Sequence, residues 1–438
     1  LSRLYAGKII IERKHHMKKI LAIALVLVML VALGVPAFAA KNDTGSVYWL
    51  NFKPESDEAL QGLAKMYTEK TGVPVKVVTA ASGTYESTLT AEMDKSECPT
   101  LIVLGNAAAV NTWGDYVIDL ADTEVVAELN TDAYNLYGAD GKLAAVGYCY
   151  ESYGIICNTK LLEEAGHSLD EIKDFDSFKA VVEDIHANAA TLGFDAFTSS
   201  GMDDSSSWRF SGHLANMPLY YESVDEGWTE CPATLKGTYL ANFKNIWDLY
   251  INNSSVDPST LATGGYDAES EFVNGKAVFF QNGSWEYTAC SALGDENIAM
   301  IPIYCGVDGE ENIGLCSGTE NCWAVVETTS EANQQATLDF MKWCVTDPEA
   351  SEILVGTFGV MPYKQAVEST NKFLNDANAY ANDGKTTVTW AFNYTPNVNE
   401  WRATLVAAMN LYDNDQTDAN WENVCTAFTA GWATQYAN

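Results

Sequence analysis

The stretch SVYWLNFKPESDEALQGLAKMYTEKTGVPVKVV, residues 46–78, decides the fold class. Ser46 to Leu50 is an apolar run suited to a buried strand. Leu60, Leu63, Ala64 and Tyr67 then recur at i, i+3, i+4 and i+7, the stripe of an amphipathic helix. Gly72 ends that helix, Pro74 bars its continuation, and Val75 to Val78 form a second strand. Further on, Leu101 to Leu104 is a short apolar strand. Phe178, Val181, Val182 and Ile185 make another helical stripe, with Asp176 available as N-cap. Strands alternating with helices predict parallel sheets in an α/β protein. No Gly/Ser-rich or Pro-rich linker and no internal repeat divides the 438 residues, so domains joined by several crossings fit better than beads on a string.

Upstream of this unit, Met17 to Ala39 reads as a cleavable signal peptide. Lys18 and Lys19 form its basic start, Ile20 to Leu33 its apolar run, and Ala37 and Ala39 frame an A-x-A exit. The run is short for a membrane span and ends in Gly34 and Pro36. Export is therefore expected, to a periplasm or the cell exterior. No cysteine follows the exit before Cys98, so no lipid anchor is expected there. Residues 1–16 are set aside from fold reasoning as upstream of the start or an extended n-region.

Removing residues 1–39 takes six basic residues and one acid from the 25 and 59 of the full chain, leaving 19 against 58, a charge of about −39. A surface so acidic repels phosphate backbones and anionic lipid, so no nucleic-acid or membrane-surface partner is expected. The ten cysteines form no C-x-x-C, and Cys157, Cys322 and Cys344 sit in apolar runs; free buried thiols and partial disulfide pairing both remain open.

The sequence carries no G-x-S-x-G, H-E-x-x-H, G-x-x-x-x-G-K-[ST] or G-x-G-x-x-G signature. His167, His186 and His213 are widely spaced with no Cys or His at ligand spacing, so neither a metal nor a cofactor is expected. Close acid pairs such as Asp203/Asp204 fit a solvated face, and Tyr220/Tyr221 fits packing. Tryptophans are more telling. Trp323 and Trp343 lie in apolar runs and read as core, whereas Trp208 (SSSWRF), Trp285 (NGSWEY) and Trp401 (VNEWRA) sit among polar groups, as rings in a wet cleft would. With only one or two acids singled out beside them, the ligand expected is neutral and ring-shaped.

Five segments in order carry a resemblance: VYWLNF with LAKMYTEKTGVPVKV, GKLAAVGYCYESYGIICNTKLLEEAG, FVNGKAVFFQNGSWEY, IAMIPIY and FMKWCVTDPEASEILVGTFGVMPY. Together they resemble the carbohydrate-binding, maltose-binding-protein-like extracellular solute-binding proteins of ABC importers. The resemblance implies a two-lobed periplasmic-binding-protein type II α/β fold with crossing hinge strands. Its implied divisions are 40–148 for the first lobe, 149–300 for the second, 301–346 returning to the first with IAMIPIY as the return crossing, and 347–438 as C-terminal helices of the second.

The family pattern puts Glu151 in the cleft as a hydroxyl acceptor and Trp208, Trp285 and Trp401 at stacking positions. Asn51 and Asn106 fall at the C-terminal ends of first-lobe strands, where open α/β sheets bind ligands. Lys53, Leu104 and Ala107 depart from the pattern of the family's maltose binders, which puts maltose itself in question. The function so implied is capture of an oligosaccharide by a monomer that delivers it to an ABC permease without chemistry. A binder of a polyamine or metal, or a secreted glycoside hydrolase, are the alternatives.

Overall fold

Trp49 and Leu50 are neighbours on one strand, yet each is fully buried in a different core, the mark of a sheet covered on both faces. A computed structural model describes residues 44–438 except 82, 204, 205 and 229; the expected signal peptide, Met17 to Ala39, lies outside the described residues. No helix of the described residues is long and apolar enough to cross a membrane.

Twelve strands follow in chain order among the described residues: β1 (Val47–Asn51), β2 (Val75–Thr79), β3 (Leu101–Val103), β4 (Leu136–Tyr137), β5 (Leu143–Gly147), β6 (Glu151–Asn158), β7 (Asp195–Phe197), β8 (Ala277–Gly283), β9 (Ile298–Ile301), β10 (Ile313–Gly318), β11 (Cys322–Val325) and β12 (Thr386–Thr389). They form two six-stranded sheets. The first runs β2-β1-β3-β11-β5-β4; the second runs β12-β10-β6-β8-β7, with β9 also paired to β6. β1 pairs in parallel with β2 and β3 as expected, but β11 and β6 enter antiparallel, so the sheets are mixed and not wholly parallel.

The opening unit forms as its sequence dictates. Leu60, Leu63, Ala64 and Tyr67 are buried along the helix Asp57–Thr71, and Gly72 closes it at φ 77°, its N–H donating to the Thr68 carbonyl at 2.8 Å. The helix Phe175–Leu192 buries Phe178, Val181, Val182 and Ile185, but its cap is Asp174 and not Asp176. The Asp174 carboxylate accepts the Ser177 N–H at 2.9 Å, and Asp176 falls inside the first turn.

The return from the second sheet comes later in the chain than IAMIPIY. Those residues form β9 and its extension against β6, and β10 also belongs to the second sheet. The chain crosses back between Gly318 and Cys322. There it runs beside the first crossing, Tyr148 to Tyr150: the Tyr148 N–H donates to the Asn321 carbonyl at 2.8 Å, and the Thr319 hydroxyl donates to the Cys149 carbonyl at 2.5 Å. The division near residue 347 shifts too. Asp347 caps and Pro348 starts the helix Pro348–Phe358, which turns back to bury Ala350, Leu354 and Phe358 in the first lobe's core. A third passage, Gly359 to Asn371, leads to the second lobe. There the helices Val398–Asn414 and Asp418–Ala437 cover the sheet with Leu405, Met409, Phe428 and Trp432. All ten cysteines are free thiols in the structure.

Candidate functional site

Where the crossings leave the two sheets, a cleft of about 680 Å³ opens between them. That volume is in the range of small-ligand sites. Its first-lobe wall carries Phe52, Lys53 and Tyr85; its second-lobe wall carries Trp208, His213, Trp285, Trp390 and Phe392.

Trp285 follows the end of β8, and its place depends on a missing side chain. A Cβ on Gly283 would stand 2.3 Å from the indole, so only glycine there lets the ring fold back over the strand end. The Trp285 Nε1 donates to the Asn282 Oδ1 at 2.8 Å, fixing the ring's rotation. Trp390 repeats the device on β10: a Cβ on Gly318 would come within 2.6 Å of its ring. Trp390 is 7% exposed, and its buried Nε1 has no hydrogen-bond partner. Trp208 is half-buried, with the Arg402 guanidinium 3.3 Å from its ring centroid, so one face is covered. His213 stacks on Tyr153 at 4.3 Å and leans on Trp285 at 5.4 Å. Burial pulls its pKa down to about 3, against a hydrogen bond to Gln281 that raises it, so the imidazole is neutral.

The sequence-derived residues divide. Asn106, Glu151, Trp208 and Trp285 line the cleft; Asn51 and Trp401 do not. Asn51 is fully buried, with its Nδ2 donating to the Lys53 carbonyl at 2.7 Å and to Thr79 Oγ1 at 3.1 Å, so it shapes the loop that presents Lys53. Asn106 caps the helix Ala107–Trp113 by accepting the Ala109 N–H at 2.9 Å, which spends its oxygen at the cleft edge. Trp401 is a core residue, 1% exposed, edge-on to Phe428 and Trp432, with its Nε1 donating to the Phe428 carbonyl at 2.9 Å. Trp390, which the sequence reading missed, supplies an aromatic ring in the cleft instead. The aromatic density of TWAFNYT was its only signal.

Glu151 also departs from expectation. It is 2% exposed, and its carboxylate is held by Lys53 Nζ at 2.6 and 2.7 Å and by Asn321 Nδ2 at 2.9 Å. The residue expected to receive sugar hydroxyls therefore ties the first-lobe loop to both crossings. Burial disfavours the Lys53 ammonium, but Glu151, with Glu55 and Glu320, outweighs it and raises the lysine's pKa.

Nor is the cleft poor in acids. Besides Glu151, Glu320 stands at the return crossing and Glu55 and Glu86 on the first-lobe wall. Asp267, Glu269 and Glu286 line the second. Burial pushes Glu286 up to about 8, helped by Glu269 beside it, and pushes Glu320 up to about 7 against the pull of Lys53. Among the described residues no group of three or more His, Cys, Asp or Glu is arranged to hold a metal ion.

Comparison with known proteins agrees with this architecture. The family described as bacterial extracellular solute-binding protein matches residues 62–382. A maltotriose-binding protein of Pyrococcus abyssi is 22% identical over 345 residues, 76% of this chain and 70% of that protein. Among solved structures, the solute-binding protein RafE in complex with raffinose superposes with a TM-score of 0.68 at 18% identity, covering 87% of this chain and 98% of the other; an apo form of RafE is from Streptococcus pneumoniae. A chitin oligosaccharide binding protein gives 0.68 at 13% identity, over 90% and 99% of the two chains.

Proposed function

The chain belongs to the bacterial extracellular solute-binding proteins, and from that premise we propose that it captures an oligosaccharide in the cleft between its lobes and hands it to an ABC permease. The observation that carries this reading is the pair of tryptophans, Trp285 and Trp390, each bedded on a glycine at the end of a second-sheet strand and turned toward one cavity. An indole face matches the apolar face of a sugar ring, and Asn282 and Asn106 line the same cleft, on its two walls. The three relatives named above bind maltotriose, raffinose and chitin oligosaccharide, which supports the same ligand class here.

Capture would proceed by closure of the lobes about the paired crossings, which excludes water and brings the first-lobe wall, with Phe52 and Tyr85, and the second-lobe wall, with Trp285, against the ligand. The closed form is the one a permease would recognise. We read the protein as a monomer that binds without transforming its ligand, exported to the periplasm or cell exterior as its family implies.

Isothermal titration with a panel of di- to tetrasaccharides, each mixture then chromatographed, tests the reading. Saturable binding with the saccharide recovered intact is expected. Shortened products would establish a hydrolase, and a panel with no binder would overturn the oligosaccharide assignment.

A further inference from the structure

Resting on the oligosaccharide reading, we propose that the ligand carries a protonated amino group, so that the cleft receives an amino-sugar oligomer. Its ammonium would lie between Glu269 and Glu286, and its rings against Trp285 and Trp390.

Charge balance within the cleft is the first observation. Seven carboxylates line it, while its lysine and arginine are already engaged. Lys53 is held by both oxygens of Glu151, and Arg209 donates to the carbonyls of Ser199 and Gln281 at 3.4 Å. Among the described residues no salt bridge reaches Glu269 or Glu286. One Glu286 oxygen accepts from Asn282 Nδ2 at 2.7 Å, and Glu269 lies against the same carboxyl.

A carboxyl buried beside a second acid resists ionisation. Burial and the charge of Glu269 push Glu286 up to about 8 against the pull of Arg209, so Glu286 keeps its proton near neutral pH. An ammonium placed there supplies positive charge and three N–H donors, lets Glu286 release its proton and satisfies both carboxylates. A neutral ligand would close the cleft over this pair with no charge to offset it.

The second observation concerns the rest of the ligand. Trp390 is buried with its Nε1 lacking an acceptor, and Trp285 offers a fixed indole face three residues from Asn282. A sugar ring can cover that face with its apolar side while its hydroxyls meet the polar groups around it. A linear polyamine provides the charge but neither of these, and an N-acetylated sugar provides the ring without the charge.

Calorimetric titration of the full chain with glucosamine trimer, N-acetylglucosamine trimer, maltotriose and spermidine separates these cases. The glucosamine trimer is expected to bind at least about tenfold tighter than its N-acetylated counterpart. That advantage is expected to shrink between about 0.02 M and about 0.5 M salt. Glu286→Gln is expected to reduce the amine preference by about tenfold, with Glu269→Gln, at an exposed position, as the second variant, and a cooperative melt as the folding control for each. Neutral trimers binding as tightly as the amine would overturn this inference while leaving the oligosaccharide reading intact. Spermidine binding without any saccharide would overturn both.

Discussion

Replacing Glu151 with glutamine removes the charge that anchors Lys53 at the crossings. The two side chains are 13% and 3% exposed, with Nζ 2.6 Å from the nearer carboxylate oxygen. Removing one member of a buried pair leaves the other charge uncompensated, at a cost of roughly 3–5 kcal/mol. Glutamine keeps one oxygen, which can serve either Lys53 or Asn321 but presents an NH2 to the other, and Lys53 retains some water. These features place the expected loss near the lower end, about 3 kcal/mol, a large share of the ~5–15 kcal/mol typical of a folded domain.

Lys53→Met should cost a similar amount, because Glu151 is then a buried, unpaired anion. The double variant should be less destabilised than the sum of the two by about 2 kcal/mol, since the partners are in contact. Urea unfolding at pH 7, followed by tryptophan fluorescence, gives all four free energies. Additive losses, or a Glu151→Gln variant that unfolds at the wild-type urea concentration, would refute the crossing-anchor assignment and return Glu151 to the ligand.

Other consequences follow from individual residues. Gly283→Ala sets a Cβ 2.3 Å from the Trp285 ring, which must swing aside, so oligosaccharide affinity should fall about tenfold with little change in the melt; wild-type affinity by calorimetry would show that the glycine bed is dispensable. Asp413 is 4% exposed and burial raises its carboxyl from 3.8 to about 8, so the folded protein must take up a proton that the unfolded chain releases. Stability is therefore lost as pH rises from about 4 to about 8. Asp413→Asn, whose amide oxygen can still accept the Trp247 N–H, should gain across that window, with an upper bound near ~4 kcal/mol at pH 7 from the shift alone. Urea unfolding at pH 5 and pH 8 checks it, and an equal gain at both would contradict the linkage. Ten thiols should react with a disulfide reagent in denaturant without reductant, and a lower count would reveal a disulfide.

What could be read from the chain was whatever repeats locally. Leu60, Leu63, Ala64 and Tyr67 announce a helix because their spacing matches one turn, and Gly72 announces its end; both lie within one segment. Trp285 was legible for a similar reason, since the polar neighbours that marked it, Asn282, Ser284 and Glu286, lie in the same short segment.

Trp401 misled because its polar neighbours, Asn399 and Glu400, are on a helix, where adjacent residues point in different directions. Asn399 lines the cleft, but Trp401, two residues further along the helix, turns into the core. Trp390 was missed because its bed, Gly318, is distant in sequence. The seven carboxylates were beyond reach for the same reason. Glu55, Glu269 and Glu320 meet only when three separated segments converge, and nothing local distinguishes them from the chain's many solvated acids. The return crossing was placed early because IAMIPIY reads equally well as a crossing strand or as an interior one. Its pairing with β6 decides between them.

An oligosaccharide captured in the cleft lies on Trp285, so removing that indole must weaken its binding. Titrating the tightest-binding saccharide of the panel into wild type and Trp285→Ala, with both melts recorded, tests it most directly. Loss of a central tryptophan contact is expected to weaken binding at least about thirtyfold while the melt stays cooperative. An unchanged dissociation constant would contradict the claim.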